Sequence, residues 1–398
     1  MKSAQIVKRH ATFSGECLSR HQNGKPFTPT LSTYLKSNKS FGSRDRRRIR
    51  AMCYAWFRLG HALEGLELEN QILLSYLCLE DDAQFAEFHS DLPFQLSDNW
   101  TTMNLVERLD YLEQNFSLNR NLIFPAEGIS SKFDMEKLRQ HQFQQPLLWL
   151  SVSEENRKSV KNKLDLADVE VQVQGTAMAL PISTPVQSIL KSYEFEIQDY
   201  SSQMALKSLD KLKIKTLWDC CAGSGGKSLL LSRNNNKLDT YASDIRPNIL
   251  QNLKQRFKLH RRDYCIGRID MVDCPDVLSF VRSNGGEEAI EQEHFDLVLV
   301  DAPCTGSGTW NRNPEHVAAF KGLDDSFMER QEKILTNASR FVKSGGYILY
   351  LTCSVFEAEN EGMVSAFIEN SSVKLLEEGY IKGYEHQSDT MYFALLQK

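Results

Sequence analysis

Thr216-Leu217-Trp218-Asp219-Cys220-Cys221-Ala222-Gly223-Ser224-Gly225-Gly226-Lys227 runs from an apolar strand, through a glycine-rich turn, to the start of a helix. Glycines at such a junction let the backbone approach a ligand closely, and a helix N-terminus favours negative charge there. Further strand-like runs follow at 240–243, 264–269, 296–300 and 346–351. Helical patterns lie between them at 227–231, 247–259, 276–282 and 325–342. This alternation predicts an α/β fold with a parallel sheet covered on both faces. In such sheets ligands bind beyond the carboxyl ends of the strands, so the residues there are the candidates for function.

Upstream of this region the pattern differs. Residues 1–125 read as a helical domain: Ile49, Met52, Cys53, Trp56 and Phe57 recur at helix spacing, as do Leu63, Leu66, Ile72, Leu73 and Leu77. Residues 126–195 read as a small α+β domain. They hold the apolar run 147–152, a polar helical stretch at 154–164, and period-two alternation at 169–173. Residues 196–398 read as a third domain, the α/β one. Charge divides the chain too. Residues 1–50 carry 12 Lys/Arg against 2 Asp/Glu, whereas 61–120 carry 12 acidic and 2 basic residues. The densest basic point, Arg44-Asp45-Arg46-Arg47-Arg48-Ile49-Arg50, suits either a polyanion or plain solvation. Arg157, Lys158, Lys161 and Lys163 form a second basic group.

Composition narrows the class. Of 398 residues, 41% are hydrophobic and 25% charged, which excludes a chain disordered throughout. No apolar run approaches the ~18 residues of a membrane helix, and the first residues lack the apolar core of a secretory signal. Nine scattered cysteines without a CxxC argue against a disulfide framework or a zinc knuckle. They point to a reducing, cytoplasmic setting. The nine histidines show no ligand spacing, so no metal is expected.

Acids close four successive strands: Asp219, Asp244, Asp270 and Asp301. Each could cap the following helix, but together they form a row along one sheet edge. Asp244 follows Asp219 by 25 residues, an offset at which an acid can accept from a ribose. The fourth strand ends Asp301-Ala302-Pro303-Cys304-Thr305-Gly306-Ser307-Gly308 and the fifth ends Leu351-Thr352-Cys353-Ser354. Two cysteines 49 residues apart thus fall at neighbouring strand ends. Glu357, Glu359 and Glu361 after them read as the acidic first turn of another helix.

These motifs resemble the Nol/Nop/Sun family of RNA 5-methylcytosine methyltransferases, and most of all its bacterial 16S ribosomal RNA members of the B/F type. The family's first turn reads Asp-x-Cys-Ala-Ala-Pro-Gly-Gly-Lys; here Gly223 and Ser224 replace Ala-Pro. Asp301-Ala302-Pro303-Cys304, Thr352-Cys353-Ser354 and Glu359-Asn360-Glu361 match, and 195–203 is similar to the family's entry segment. Gly42-Ser43-Arg44-Asp45-Arg46-Arg47 resembles the start of the helical region that precedes many bacterial members. Two segments depart: Asn311-Arg312 stands where paired arginines are usual, and Leu148-Trp149-Leu150-Ser151-Val152 where Leu-Arg-Val-Asn is common.

The resemblance implies a Rossmann-like S-adenosylmethionine-dependent methyltransferase domain behind a helical domain and an RRM-like RNA-handling domain. It implies Cys353 as nucleophile toward carbon-6 of cytosine and Cys304 as the residue that assists release. Asp301 is placed at the pyrimidine edge and the methionine amine, with Lys227 near the thiolate and the methionine carboxylate. The cofactor would meet Cys221, Ala222, Gly223, Ser224, Gly225, Gly226 and Lys227, with Asp244 on its ribose and Asp270 on its adenine. It also implies a monomer acting on ribosomal RNA, with transfer RNA second. Rival readings are a P-loop NTPase, which needs glycine where Cys221 stands, and a nicotinamide dehydrogenase, whose GxGxxG is missing. A DNA cytosine methyltransferase would carry its nucleophile in the Pro-Cys pair. A non-catalytic ribosome-assembly factor on the same fold is the last rival.

Overall fold

The computed structural model describes residues 2–22, 24–81 and 91–398. The helical reading of 82–90 therefore lies outside the described residues. The chain divides into two compact units. The first comprises Met1–Glu127, Asp134–Gln144 and Trp310–Gly322.

Its main helices are α1 (Lys2–Ser19), α2 (Phe27–Ser37), α3 (Ser43–Arg58), α4 (Leu68–Leu79) and α5 (Leu105–Phe116). The apolar residues read at helix spacing turn inward: Ile49, Met52, Cys53 and Phe57 of α3 pack with Ile72, Leu73 and Leu77 of α4. Asn104 and Glu107 cap α5 reciprocally, each side chain accepting from the other's backbone N–H. The late segment joins this core. Trp310 is 1% exposed and packs on Phe124, and Glu315 Oε1 accepts from the Phe27 N–H at 2.9 Å.

The second unit holds two sheets. The small one contains β1 (Leu148–Ser151), β2 (Gln172–Gln174), β3 (Ala177–Leu180) and β4 (Glu196–Ile197) in the order β2-β3-β1-β4. Helix α6 (Glu154–Leu166) packs on it through Val160 and Leu164. The large sheet begins with β5 (Thr216–Asp219), followed by α7 (Gly226–Asn234), β6 (Asp239–Ser243), α8 (Pro247–Leu259) and β7 (Cys265–Gly267). Next come β8 (Leu278–Arg282), β9 (Glu287–Ile290), β10 (Phe295–Asp301), α9 (Asp325–Ser339) and β11 (Val342–Thr352). Helix α10 (Glu361–Glu369), β12 (Lys374–Ile381) and β13 (Met391–Gln397) complete it. The order is β12-β13-β11-β10-β5-β6-β7-β8-β9. The five strands from β7 to β11 through β5 run parallel. Chain order reverses between β5 and β10, which opens a crevice at their carboxyl ends.

One expected helix is absent. Residues 276–282, read as helical, form β8, which pairs antiparallel with β7 and with β9. Leu278 and Phe280 are buried while Ser279 and Val281 are exposed, the period of a strand and not of a helix. Asn284-Gly285-Gly286 supplies the turn, with Gly285 at φ +93°.

Candidate active site

The site is assembled by the turn after β5. Gly225 N–H donates to Ala222 O at 2.8 Å, and Ala222 N–H to Ser243 O at 2.9 Å. Gly225 sits at φ +78°, and a Cβ there would fall 2.6 Å from Leu253 Cγ, so both the backbone conformation and α8 require glycine. The turn leads into α7, whose Lys227 Nζ lies 2.6 Å from Asp301 Oδ2 at the end of β10. Burial works against the Lys227 ammonium, yet Asp301, with Cys353 and Asp219 adding, raises its pKa above the ordinary lysine value. Lys227 is thus spent on Asp301.

Asp219 is 1% exposed. Burial, and next the neighbouring Asp301, push its carboxyl up to about 7, against the pull of Lys227. Asp244 is held down despite its burial, because Arg246 donates to it from backbone N and Nε at 2.9 Å each and from Nη2 at 2.9 Å. Its Oδ2 also accepts from Gly223 N–H at 3.0 Å. Asp270 Oδ1 accepts from Val272 N–H at 2.9 Å.

A cavity of about 710 Å³ opens over these strand ends, lined among others by Cys221, Gly223, Asp244, Asp270, Asp301 and Arg330. Three carboxylates around an otherwise largely apolar hollow suit a ligand with a ribose, an adenine amino group and positive charge. S-adenosylmethionine has these features, so the chain's own residues fit it.

Beside the cavity, Cys304 Sγ and Cys353 Sγ stand 3.9 Å apart, with Cys304 donating to Cys353. That hydrogen bond, reinforced by burial, raises the Cys304 pKa well above the ordinary thiol value. All nine cysteines are free.

The sequence pattern places Glu359 in the acidic first turn of a helix. Glu359 instead is fully buried. It accepts from Thr305 N–H at 2.9 Å, Thr305 Oγ1 at 2.6 Å, Gln331 Nε2 at 3.1 Å and Ser354 Oγ. It therefore ties the loop of Cys304 to the loop of Cys353. Tyr350 completes the network, donating to Glu359 O at 2.8 Å. The signal available in sequence was weak, because an acid soon after a strand commonly caps a helix.

The basic and substrate-facing expectations divide. Arg46 donates to the carbonyls of Phe41, Leu35 and Asn38, so it ties off the end of α2. Asn311 is 1% exposed and lies 3.0 Å from His141 Nε2, buried within the helical unit. Lys161 pairs with Asp165 and Lys163 with Glu194. Among the described residues no group of three or more His, Cys, Asp or Glu is placed to hold a metal ion. No described helix is long and apolar enough to cross a membrane.

The sheet order, the turn after β5 and the acids at the strand ends define a Rossmann-like α/β domain with its ligand crevice at the strand ends. Residues 206–395 match the family described as 16S rRNA methyltransferase RsmB/F. A probable ribosomal RNA small subunit methyltransferase B of Bacillus subtilis (strain 168) is 34% identical over 44% of this chain and 37% of its own length. Ribosomal RNA small subunit methyltransferase B of Xylella fastidiosa (strain Temecula1) is 28% identical over 56% of this chain and 51% of its own. The chain thus spans about half, or less, of these relatives. The crystal structure of PH0851 has the same fold over 99% of both chains, at TM-score 0.68 and 20% identity. A methyltransferase homolog protein from Pyrococcus horikoshii shares it over 73% of this chain and 98% of its own, at TM-score 0.56 and 19% identity.

Proposed function

We propose that this chain methylates carbon-5 of cytosine in RNA, with ribosomal RNA as the substrate and S-adenosylmethionine as the methyl donor. The observation that carries the reading is the pair Cys304 and Cys353, 3.9 Å apart beside the Lys227–Asp301 ion pair. The names of the relatives, which print ribosomal RNA small subunit methyltransferase B, support the substrate.

Carbon-5 of cytosine is a poor nucleophile, so a covalent detour is needed. Cys353 attacks carbon-6, which breaks the ring's conjugation and makes carbon-5 enamine-like. Cys353 must react as thiolate, and Cys304, 3.9 Å away, is placed to donate a hydrogen bond to it. Asp301, oriented by Lys227, hydrogen-bonds the pyrimidine edge as charge develops on it. When bound, S-adenosylmethionine supplies an electrophilic sulfonium methyl group. Cys304, once its own proton has passed to solvent, accepts the carbon-5 proton as thiolate, and the carbon-6–sulfur bond breaks with Cys353 leaving as thiolate. Asp244 holds the ribose and Asp270 the adenine. The target base must be unstacked to reach this depth, which favours a looped or unfolded RNA. We take the helical region 1–125 and the small sheet region 126–195 to handle RNA, and the enzyme to act as a cytoplasmic monomer.

The test is methyl transfer from labelled S-adenosylmethionine to total bacterial RNA by wild type, Cys353→Ala and Cys304→Ala. Wild type should label cytosine, Cys353→Ala should be inactive, and Cys304→Ala should accumulate an RNA adduct that survives denaturation. Normal methylation by Cys353→Ala would overturn the nucleophile assignment. Label confined to transfer RNA would overturn the substrate.

A further inference from the structure

The turn that faces the cofactor cavity lacks the family's Ala-Pro. Gly223, at φ +53°, and Ser224 are both freer in the unfolded chain than the residues they replace. A turn built this way needs another means of staying in place.

The structure supplies one from outside the turn. Arg256, on α8, donates through Nη1 to Ser224 O at 3.0 Å and to Ser224 Oγ at 2.8 Å. The same guanidinium lies against Gly226, two residues on, 3.6 Å from where a Cβ there would stand. Its other edge is fixed: Glu196 Oε2 accepts from Arg256 Nη2 at 2.6 Å and Nε at 3.2 Å. Glu196 is held in turn, since its Oε1 lies 2.6 Å from His260 Nε2. The Arg256 and Glu196 side chains are only 22% and 12% exposed, so this planar, two-edged contact is shielded from water and salt. Glu196 belongs to β4, which pairs with β1 of the small sheet.

We propose that Arg256 is a positioning residue for the cofactor turn. Clamped by Glu196, it holds Ser224 and Gly226 in the conformation that receives the methionine part of S-adenosylmethionine, and so couples the small sheet to cofactor affinity. The proposal rests on the cofactor reading given above. Arg256 takes no part in the reaction. It acts through the turn, and its removal lets Gly223 and Ser224 sample conformations that do not bind.

The test is direct binding of S-adenosylmethionine to the full chain, by calorimetry without RNA, with the melting temperature of the unliganded protein as the folding control. Arg256→Met should weaken binding by on the order of tenfold. Ser224→Ala, which deletes only the hydroxyl contact, should weaken it less, and should have no further effect in the Arg256→Met background. Glu196→Gln decides between a brace and simple charge. It keeps the arginine and removes a negative charge, so plain electrostatics predicts equal or tighter binding of the cofactor's carboxylate, whereas a brace predicts weaker binding. Unchanged affinity in Arg256→Met, or equal or tighter binding in Glu196→Gln, overturns the proposal. Failure of the wild type to bind S-adenosylmethionine would overturn the cofactor reading instead, which keeps the two failures apart.

Discussion

Asp219 shows how one side chain links the site to the stability of the fold. Its carboxyl, raised to about 7 by burial and by Asp301, binds a proton more tightly in the folded chain than in the unfolded one. The stabilising contribution of that proton is present at low pH and is lost as pH rises from about 4 toward 7. Asp219→Asn should therefore raise the melting temperature at pH 8, by up to about 4 kcal/mol of stability, and have little effect near pH 4. Thermal melts of both proteins across that range check this. An equal effect at both ends would mean that Asp219 is charged throughout. Glu359 is the second residue of this kind. Deleting its carboxylate leaves the Thr305, Gln331 and Ser354 donors unpaired, at about 1–3 kcal/mol each. Glu359→Ala should lower kcat at least about tenfold, with the affinity for S-adenosylmethionine nearly unchanged, since the contacts lie in the cysteine loops. A loss of cofactor affinity alone would place its role elsewhere. Both cysteines and all four strand-end acids were legible as residue types at strand ends. Glu359, Arg256 and Glu196 were not, because their partners lie on other elements.

At the scale of elements, α3 separates structural arginines from available ones. Arg46 is committed to three carbonyls around the end of α2, so Arg46→Ala should cost about 1–2 kcal/mol of stability, read by chemical denaturation. Arg44, Arg47 and Arg50 recur every three residues along α3 and are exposed. Neutralising these three should weaken RNA binding and reduce the slope of log affinity against log salt by up to about 2. A slope equal to that of wild type would show that they are merely solvated. The strand β8 carries a different lesson. In the fold Leu278 and Phe280 alternate with exposed Ser279 and Val281, but Val281 is itself apolar, so in sequence the short run beside Pro275 reads equally as a helical turn. Pairing to β7 settles it, because Gly267 admits Ser279 O to 2.8 Å from where a Cβ would stand.

At the scale of the molecule, residues 310–322 lie within the methyltransferase stretch of the sequence but pack in the helical unit. Trp310 is buried against Phe124 and Phe320. Trp310→Ala should destabilise the helical unit by about 3 kcal/mol, a core-size effect at a position far along the chain. Differential scanning calorimetry should show the loss, and an unchanged profile would mean that 310–322 does not support that unit. The same return explains Asn311. In sequence it departs from the paired arginines of the family the chain resembles, and in the fold it is buried with His141.

By itself the sequence determined the alternating α/β pattern, the glycine turn, the row of acids and the two-cysteine signature. These depend on local spacing and on residue chemistry, which the chain carries without reference to its fold. Only the tertiary structure decided that Lys227 is spent on Asp301, that the sulfurs of Cys304 and Cys353 stand 3.9 Å apart, and that Glu359 is buried. It alone decided that Arg256 reaches Ser224. Each of these is a contact across 32 to 74 positions, or in the case of Glu359 a burial, and hydrogen-bond partners and local dielectric at that range are set by packing.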